Sequence, residues 1–216
     1  MARPKGGTLR KVAGLILAAG ASTRIGTPKQ LLPAGETCLL DLVLKEAINS
    51  DLHRVYLVLG YQSDRIRARL RTDSHHPKLS IVENPAYGQG MSTSIIAGLS
   101  RAETLYEDIM IILADMPFIN RQVINRLLQG YLHSGLPLGA VKVCGKRSHP
   151  VIINRLFYGE LHRLKGDVGA RELFTKFPDR VCVLEVDGGP YDMDIDTMED
   201  YEKFSGHPKG PSRERG

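Results

Sequence analysis

The chain has 216 residues, 42% of them hydrophobic and 25% charged, a globular composition sufficient for one large domain over residues 1–216. Its 29 Lys+Arg against 24 Asp+Glu leave a net charge of +5, and much of the excess sits at the ends, in Arg3, Lys5, Arg10, Lys11, Lys209, Arg213 and Arg215. No apolar run approaches the roughly 18 residues of a membrane span, and no basic–aromatic interleaving marks a nucleic-acid surface. The basic N-terminus leads too quickly to Arg24 and Lys29 for a signal peptide. A soluble cytoplasmic protein is expected, with no nucleic acid and no membrane as partner and with anionic small molecules as the fitting ligands. Cys38, Cys144 and Cys182 lack the short spacings of metal or redox motifs, and three reduced, mostly buried thiols are expected.

Residues 12–18, VAGLILA, are a continuous apolar run and read as a buried strand. The run continues into LAAGASTRIGTPKQLLP (17–33), where Leu17, Ala18, Ala19 and Gly20 lead to Arg24, Gly26 and Lys29. Five residues separate Gly20 from Gly26 and Lys29 comes two positions late, so this is not a Walker A loop, nor is it G-x-G-x-x-G. Backbone donors, a planar guanidinium and an ammonium are what a polyphosphate demands. A plain turn with two solvated cations is the alternative.

Leu39, Leu40, Val43, Leu44, Ala47 and Ile48 then recur at helical spacing, VYLVLG (55–60) is a second strand, and the Arg-rich 62–71 is a helix. LSIV (79–82) is a third strand, followed by the Gly-broken NPAYGQGMSTSI (84–95). Gly90, Ser92, Thr93 and Ser94 there would suit a base, ribose or phosphate, or Ser92 simply caps the helix of Ile95, Ile96, Leu99 and Ala102. DIMIILAD (108–115) is a fourth strand that delivers Asp115, a hard oxygen ligand for Mg²⁺ or a turn aspartate. Val123, Ile124, Leu127, Leu128 and Tyr131 form a clear helical stripe, and GAVKV (139–143) is a strand. KRSHPVII (146–153) sets His149 before Pro150 and a strand, GDVGAR (166–171) turns Asp167 and Arg171 into a helix, and VCVLEV (181–186) is the last strand. Helical segments are expected near 154–163 and 169–176. In YDMDIDTMEDY (191–201), Asp194 and Asp196 would face one way if extended, presenting two carboxylates to a cation, unless they belong to an acidic turn capping the last helix at Asp196 or Thr197.

Apolar strands separated by amphipathic helices imply an α/β doubly wound sheet covered on both faces, with ligands at the carboxyl ends of the strands. The alternation loosens after about residue 139, where an antiparallel excursion is expected. The ordered core should run from about 12 to 205, with the Gly/Pro-rich tail 206–216 disordered.

In order, LAAGASTRIGTPKQLLP, GYQ (60–62), NPAYGQGMSTSI, LADMP (113–117), HPV (149–151), GDVGAR and DIDTMEDY (194–201) resemble the molybdenum cofactor cytidylyltransferase family, over roughly residues 12–201. The resemblance implies a Rossmann-like three-layer nucleotidyltransferase fold with a mostly parallel sheet and a small antiparallel excursion in the C-terminal part. It also implies an enzyme that transfers CMP from CTP to the phosphate of molybdenum-bearing molybdopterin, with Mg²⁺, or Mn²⁺, as cofactor. A molybdoenzyme or its chaperone is the implied protein partner. On this resemblance Arg24, Lys29 and the Gly20–Gly26 backbone take the triphosphate, Leu17, Ala18 and Ala19 belong to the nucleotide site, and Asp115 with Asp194 or Asp196 takes the metal. Gly90, Ser92, Thr93 and Ser94 take the nucleoside, and His149, Asp167 and Arg171 the acceptor. GTP in place of CTP, a sugar or polyol phosphate as acceptor, and a non-catalytic nucleotide-binding chaperone are the alternatives. Ile25 stands where the family has Met, a nearly volume-neutral change, while Ser148 replaces a usual Gly and Met198 a usual Pro.

Overall fold

The computed structural model describes residues 10–22, 25–186 and 190–207. Arg24, singled out above, and most of the 206–216 tail lie outside these residues. Among the described residues no helix is long and apolar enough to cross a membrane.

A seven-stranded sheet forms the middle layer. Strands β1 (Val12–Ala18), β4 (Arg54–Leu59), β5 (Leu79–Glu83) and β6 (Asp108–Leu113) run parallel in the order β5-β4-β1-β6. Beyond β6 come β8 (Lys146–Asn154), β7 (Leu138–Val143) and the outer β9 (Val181–Val186). Because β8 is antiparallel to both β6 and β7, while β7 and β9 are parallel, β8 alone runs against the other strands of this sheet. This is the antiparallel excursion expected in the C-terminal part. Two short strands, β2 (Pro33–Ala34) and β3 (Thr37–Cys38), make a separate antiparallel pair that the sequence pattern did not announce.

Helices cover both faces. The period of two in the strands divides the core: Val12, Ile16 and Ala18 of β1, Leu57 and Leu59 of β4, and Met110 and Ile112 of β6 meet one set of helices. That set is α1 (Leu39–Ile48), α2 (Ser63–Arg69) and α4 (Arg121–Ser134), contributing Leu40, Leu44, Ile66, Val123 and Leu127. The alternate residues Ala13, Leu15, Tyr56, Val58, Ile109 and Ile111 meet α3 (Met91–Ala102), α5 (Tyr158–His162) and α6 (Arg171–Lys176) through Ile95, Leu99, Leu161, Leu173 and Phe174. A third cluster, Leu32, Leu39 and Ile195 with Tyr201 and Phe204 against it, docks the C-terminal α7 (Met198–Gly206) beside the loop after β1. Thr197 caps the start of α7 in a reciprocal capping box with Asp200, and the helix runs through Gly206.

At the amino end of the sheet, fully buried Asp108 accepts from Arg10 Nη2 (2.6 Å) and Nε (2.9 Å), from the Tyr131 hydroxyl (2.6 Å) and from Asn154 Nδ2 (2.7 Å). It fixes β1, β6, α4 and β8 to one another. Cys38 is buried, and desolvation pushes its thiol up to about 11. Cys182 is half-buried, but Cys144 is exposed at the β7–β8 turn, contrary to the expectation that the thiols are mostly buried.

Candidate active site

The parallel strands β4, β1 and β6 end side by side, and the segments that leave their carboxyl ends converge. After β1 the chain folds back on itself at Ser22, which has a left-handed φ of 53°. The N–H groups of Ile25 (3.0 Å) and Gly26 (3.2 Å) donate to the Ser22 carbonyl, and the Lys29 N–H donates to its hydroxyl (3.0 Å). The 3₁₀ turn Lys29–Leu31 follows. Within it Gln30 is buried at 2% exposure, and its Nε2 donates to the carbonyls of Ala18 (2.9 Å) and Gly20 (3.1 Å). The segments flanking this loop are tightly fitted. A Cβ on Gly60 would lie 2.6 Å from the Tyr87 side chain and 3.0 Å from Ala19, so only glycine admits this approach.

Lys29 Nζ lies 2.6 Å from Asp115 Oδ2 and 2.8 Å from Asp196 Oδ1. β6 ends at Leu113, two residues earlier than its apolar pattern suggests, so Asp115 belongs to the turn beyond the sheet. Asp196 comes from the far end of the chain. The Ile195 N–H donates to the Asp115 carbonyl (3.0 Å), and its side chain is fully buried against Leu32 and Leu39. Anchoring Ile195 in this way sets Asp196 beside Lys29 and Asp115, while Asp194, exposed, interacts with them through charge alone. Burial opposes the Lys29 charge, but the ion pairs and hydrogen bonds to Asp115 and Asp196 outweigh it and hold the ammonium above its ordinary range. Desolvation, reinforced by the charges of Asp196 and Asp115 and opposed by a backbone hydrogen bond and Lys29, pushes the Asp194 carboxyl above its ordinary value.

Asp115 Oδ1 is buried with no hydrogen-bond partner. An unsatisfied carboxylate oxygen on Asp115, with the Asp196 carboxylate on the other side of the shared ammonium, fits a hard divalent cation. Among the described residues no three His, Cys, Asp or Glu side chains are gathered to hold a metal by themselves. Such an ion would complete its shell with substrate oxygens and water, as Mg²⁺ does in phosphate sites.

His149 and Pro150 interrupt the β7–β8 ladder: Ala140 pairs with Val151, but Val141 pairs with Ser148. This bulge explains how a proline lacking an N–H sits in an interior strand, and it takes His149 out of the ladder. Desolvation, with Arg147 adding to it and Asp115 opposing it, pushes the imidazole down to about 4. His149 is therefore neutral near pH 7.

The 84–94 loop is organised by Asn84, a buried residue that the sequence pattern did not single out. Its Nδ2 donates to Thr93 Oγ1 (2.9 Å) and Ser94 Oγ (3.0 Å), and its Oδ1 accepts from the Ala86 N–H (3.0 Å). Thr93 also donates to the carbonyls of Ala86 and Gly90. Gly90, not Ser92, occupies the cap position of α3, at φ 105°, and a Cβ there would meet the Gly166 backbone at 2.3 Å. The Ser92 N–H donates to the Gly166 carbonyl (3.1 Å) and the Met91 N–H to Asp167 (3.2 Å). The 84–94 and 166–169 loops thus form one unit. Arg171, exposed at the start of α6, lends its carbonyl to Arg147 (3.2 Å).

Residues 14–181 match the model of the MobA-like NTP transferase domain. The chain is 26% identical over 194 residues to the molybdenum cofactor cytidylyltransferase of Escherichia coli (strain K12), covering 87% of this chain and 92% of that one. It is 31% identical over 198 residues to the purine catabolism protein PucB of Bacillus subtilis (strain 168), covering 88% and 93%. Among solved structures it resembles Rv0371c in complex with manganese, from Mycobacterium tuberculosis H37Rv, at 28% identity and a TM-score of 0.74 over 89% of this chain and 97% of that one.

Proposed function

The chain belongs to the MobA-like NTP transferase family and is a nucleotidyltransferase, and on that premise we propose that it transfers CMP from CTP to the terminal phosphate of molybdenum-bearing molybdopterin. An oxygen of the acceptor phosphate attacks the α-phosphorus of CTP, the bond to the β-phosphate oxygen breaks, and pyrophosphate leaves with that electron pair. Molybdopterin cytosine dinucleotide is the other product. The observation that carries nucleotidyl transfer is Lys29 poised between Asp115 and Asp196 at the carboxyl ends of β1 and β6. The choice of base and acceptor is supported by the likeness to the Escherichia coli cytidylyltransferase over nearly the whole of both chains.

Two polyanions must meet, so positioning and charge neutralisation matter more than a covalent nucleophile. The backbone of 17–26 with Arg24 and Lys29 grips the triphosphate, and the Lys29 ammonium offsets charge that grows on the departing pyrophosphate. Asp115, with Asp194 or Asp196, would hold the Mg²⁺ or Mn²⁺ that neutralises and orients the phosphates. The loop carrying Gly90, Ser92, Thr93 and Ser94 receives the nucleoside, and His149, Asp167 and Arg171 face the acceptor. A phosphate monoester is largely ionised near neutral pH, so its oxygen attacks without a general base. Neutral His149 then serves as a hydrogen-bonding wall of the acceptor side.

Pyrophosphate release tests this reading. Purified protein is given Mg²⁺ with CTP or GTP, and molybdopterin or a polyol phosphate. Release with CTP and molybdopterin is expected. Release only with GTP would overturn the cytidylyl assignment, release only with a polyol phosphate would overturn the acceptor, and no release with any pair would leave a nucleotide-binding chaperone as the better description.

A further inference from the structure

Gln30 takes no part in the reaction just described, yet it is buried at 2% exposure and spends both amide hydrogens on the backbone of the loop. Its Nε2 spans the carbonyls of Ala18 and Gly20, the two ends of the bend at which β1 becomes the loop. Its Oε1 is buried with no hydrogen-bond partner. Burying an amide with an orphaned acceptor costs stability, and a methionine of similar volume would fill the same space without that cost. The side chain must therefore be read through what its donors hold in place.

A trans peptide unit is planar, and its C=O and N–H point in opposite directions. With the carbonyls of Ala18 and Gly20 drawn toward Gln30, the N–H groups of Ala19 and Ala21 are directed to the opposite side of the same two peptide units. The intervening carbonyl of Ala19 is taken separately by the Tyr61 N–H (3.1 Å), which locks the bend from the β4 side. Gln30 is also the immediate neighbour of Lys29, so the same 3₁₀ turn that delivers the amide presents the ammonium to Asp115 and Asp196.

We propose that Gln30 is a positioning residue of the triphosphate grip, its buried carboxamide holding the Ala18 and Gly20 carbonyls so that the Ala19 and Ala21 N–H groups face the phosphates. This rests on the nucleotidyl-transfer reading of the loop, and not on the identity of the base or acceptor.

The experiment uses inorganic tripolyphosphate with Mg²⁺ as the probe, since it has neither base nor acceptor. Binding is measured by calorimetry on the full chain and on Gln30→Met, which keeps the volume and removes the donors. Two misdirected amide–anion hydrogen bonds should weaken tripolyphosphate binding about ten- to a hundredfold. In steady-state assays of the same variant the KM for nucleotide should rise while the KM for acceptor stays unchanged. Equal tripolyphosphate affinity in the two proteins would overturn the proposal while leaving the nucleotidyl-transfer reading standing. Absence of any tripolyphosphate binding by the unsubstituted protein would overturn both the proposal and the reading of this loop as the triphosphate grip. Should Gln30→Met fail to fold, amide hydrogen exchange on the unsubstituted protein decides: tripolyphosphate is expected to protect the N–H groups of Ala19 and Ala21, and unchanged exchange at both would overturn the assignment.

Discussion

Replacing Lys29 with methionine should push substrate turnover and metal affinity in opposite directions. The substitution keeps the unbranched stem and deletes the ammonium that lies 2.6 Å from Asp115 and 2.8 Å from Asp196. At these separations, with an effective dielectric of about 20, each contact is a Coulomb attraction of about 6 kcal/mol before desolvation is charged against it. Side-chain exposure is 18% for Lys29 and Asp115 but 44% for Asp196, so the Asp196 contact is the more screened and the net worth is far smaller. A net loss of about 2 kcal/mol follows for the pair of contacts, and it has a consequence beyond stability. An ammonium seated on carboxylate oxygens competes with a divalent cation for them. Without it, Asp115 and Asp196 face each other uncompensated by that ammonium, and Mn²⁺ alone should bind about ten- to a hundredfold more tightly, the range that about 1.4–2.8 kcal/mol of relieved competition allows. Transfer should fall by about 10² or more, because the charge on the departing pyrophosphate loses its partner. Mn²⁺ affinity is read by calorimetry without nucleotide, and turnover by pyrophosphate release. Mn²⁺ binding that is unchanged or weaker in Lys29→Met would refute the competition argument, since it would mean that the ammonium does not occupy oxygens a cation could use.

Asp115→Asn should leave the thermal unfolding midpoint nearly unchanged and reduce turnover by about 10² or more; near-normal pyrophosphate release would remove Asp115 from the reaction centre. Asp108→Ala breaks a buried network far from the site and leaves the Tyr131 hydroxyl and Asn154 amide without their acceptor, at a cost of about 3–5 kcal/mol. Calorimetry should show a fall in Tm of about 6–20 °C for a chain of this size, and a shift under about 3 °C would show the network to be dispensable. His149 adds a pH dependence to folding: its native imidazole is pushed down to about 4 against 6.5 ordinarily, so the unfolded chain binds the extra proton between these values. The stability this group contributes is present above pH 6.5 and lost as pH falls toward 4, by up to about 3 kcal/mol. Urea midpoints should therefore fall less between pH 7 and pH 5 for His149→Asn than for the unsubstituted protein, and parallel losses in both would exclude His149 as the source.

Legibility from the sequence followed burial. β1 is legible as a continuous apolar run bounded by a Gly-rich turn, because it is buried on both faces at the centre of the sheet. The pattern of β6 runs two residues beyond the strand, since Ala114 continues it although the ladder has already ended. The sequence announces β8 only after Pro150, because a proline signals an edge or a start. Nothing local announces that a bulge opposite Ala140 and Val141 lets the strand pass through it. The residues that carry charge were visible, but Gln30 and Asn84 were not. Each is a lone amide whose importance lies in which carbonyls and hydroxyls it reaches, and that depends on the close return of the chain rather than on spacing.

The pairing at the centre of the site shows where reading by spacing stops. Alternation placed Asp194 and Asp196 on one side of an extended segment, and the buried Ile195 between them enforces that geometry. Spacing could say nothing of Lys29, which is 167 residues from Asp196. What brings them together is packing of Ile195 with Leu32 and Leu39, pinned by a hydrogen bond from the Tyr201 hydroxyl of α7 to the Pro33 carbonyl (2.9 Å). The hydrophobic contacts that dock α7 beside the loop after β1 thereby set the distance between an ammonium and a carboxylate. Loss of that packing should act on the charged site before it acts on the rest of the fold, since the main sheet and its two large clusters are built without Ile195. Ile195→Ala would be expected to weaken the Lys29–Asp196 contact by freeing the segment, even though it removes no charge.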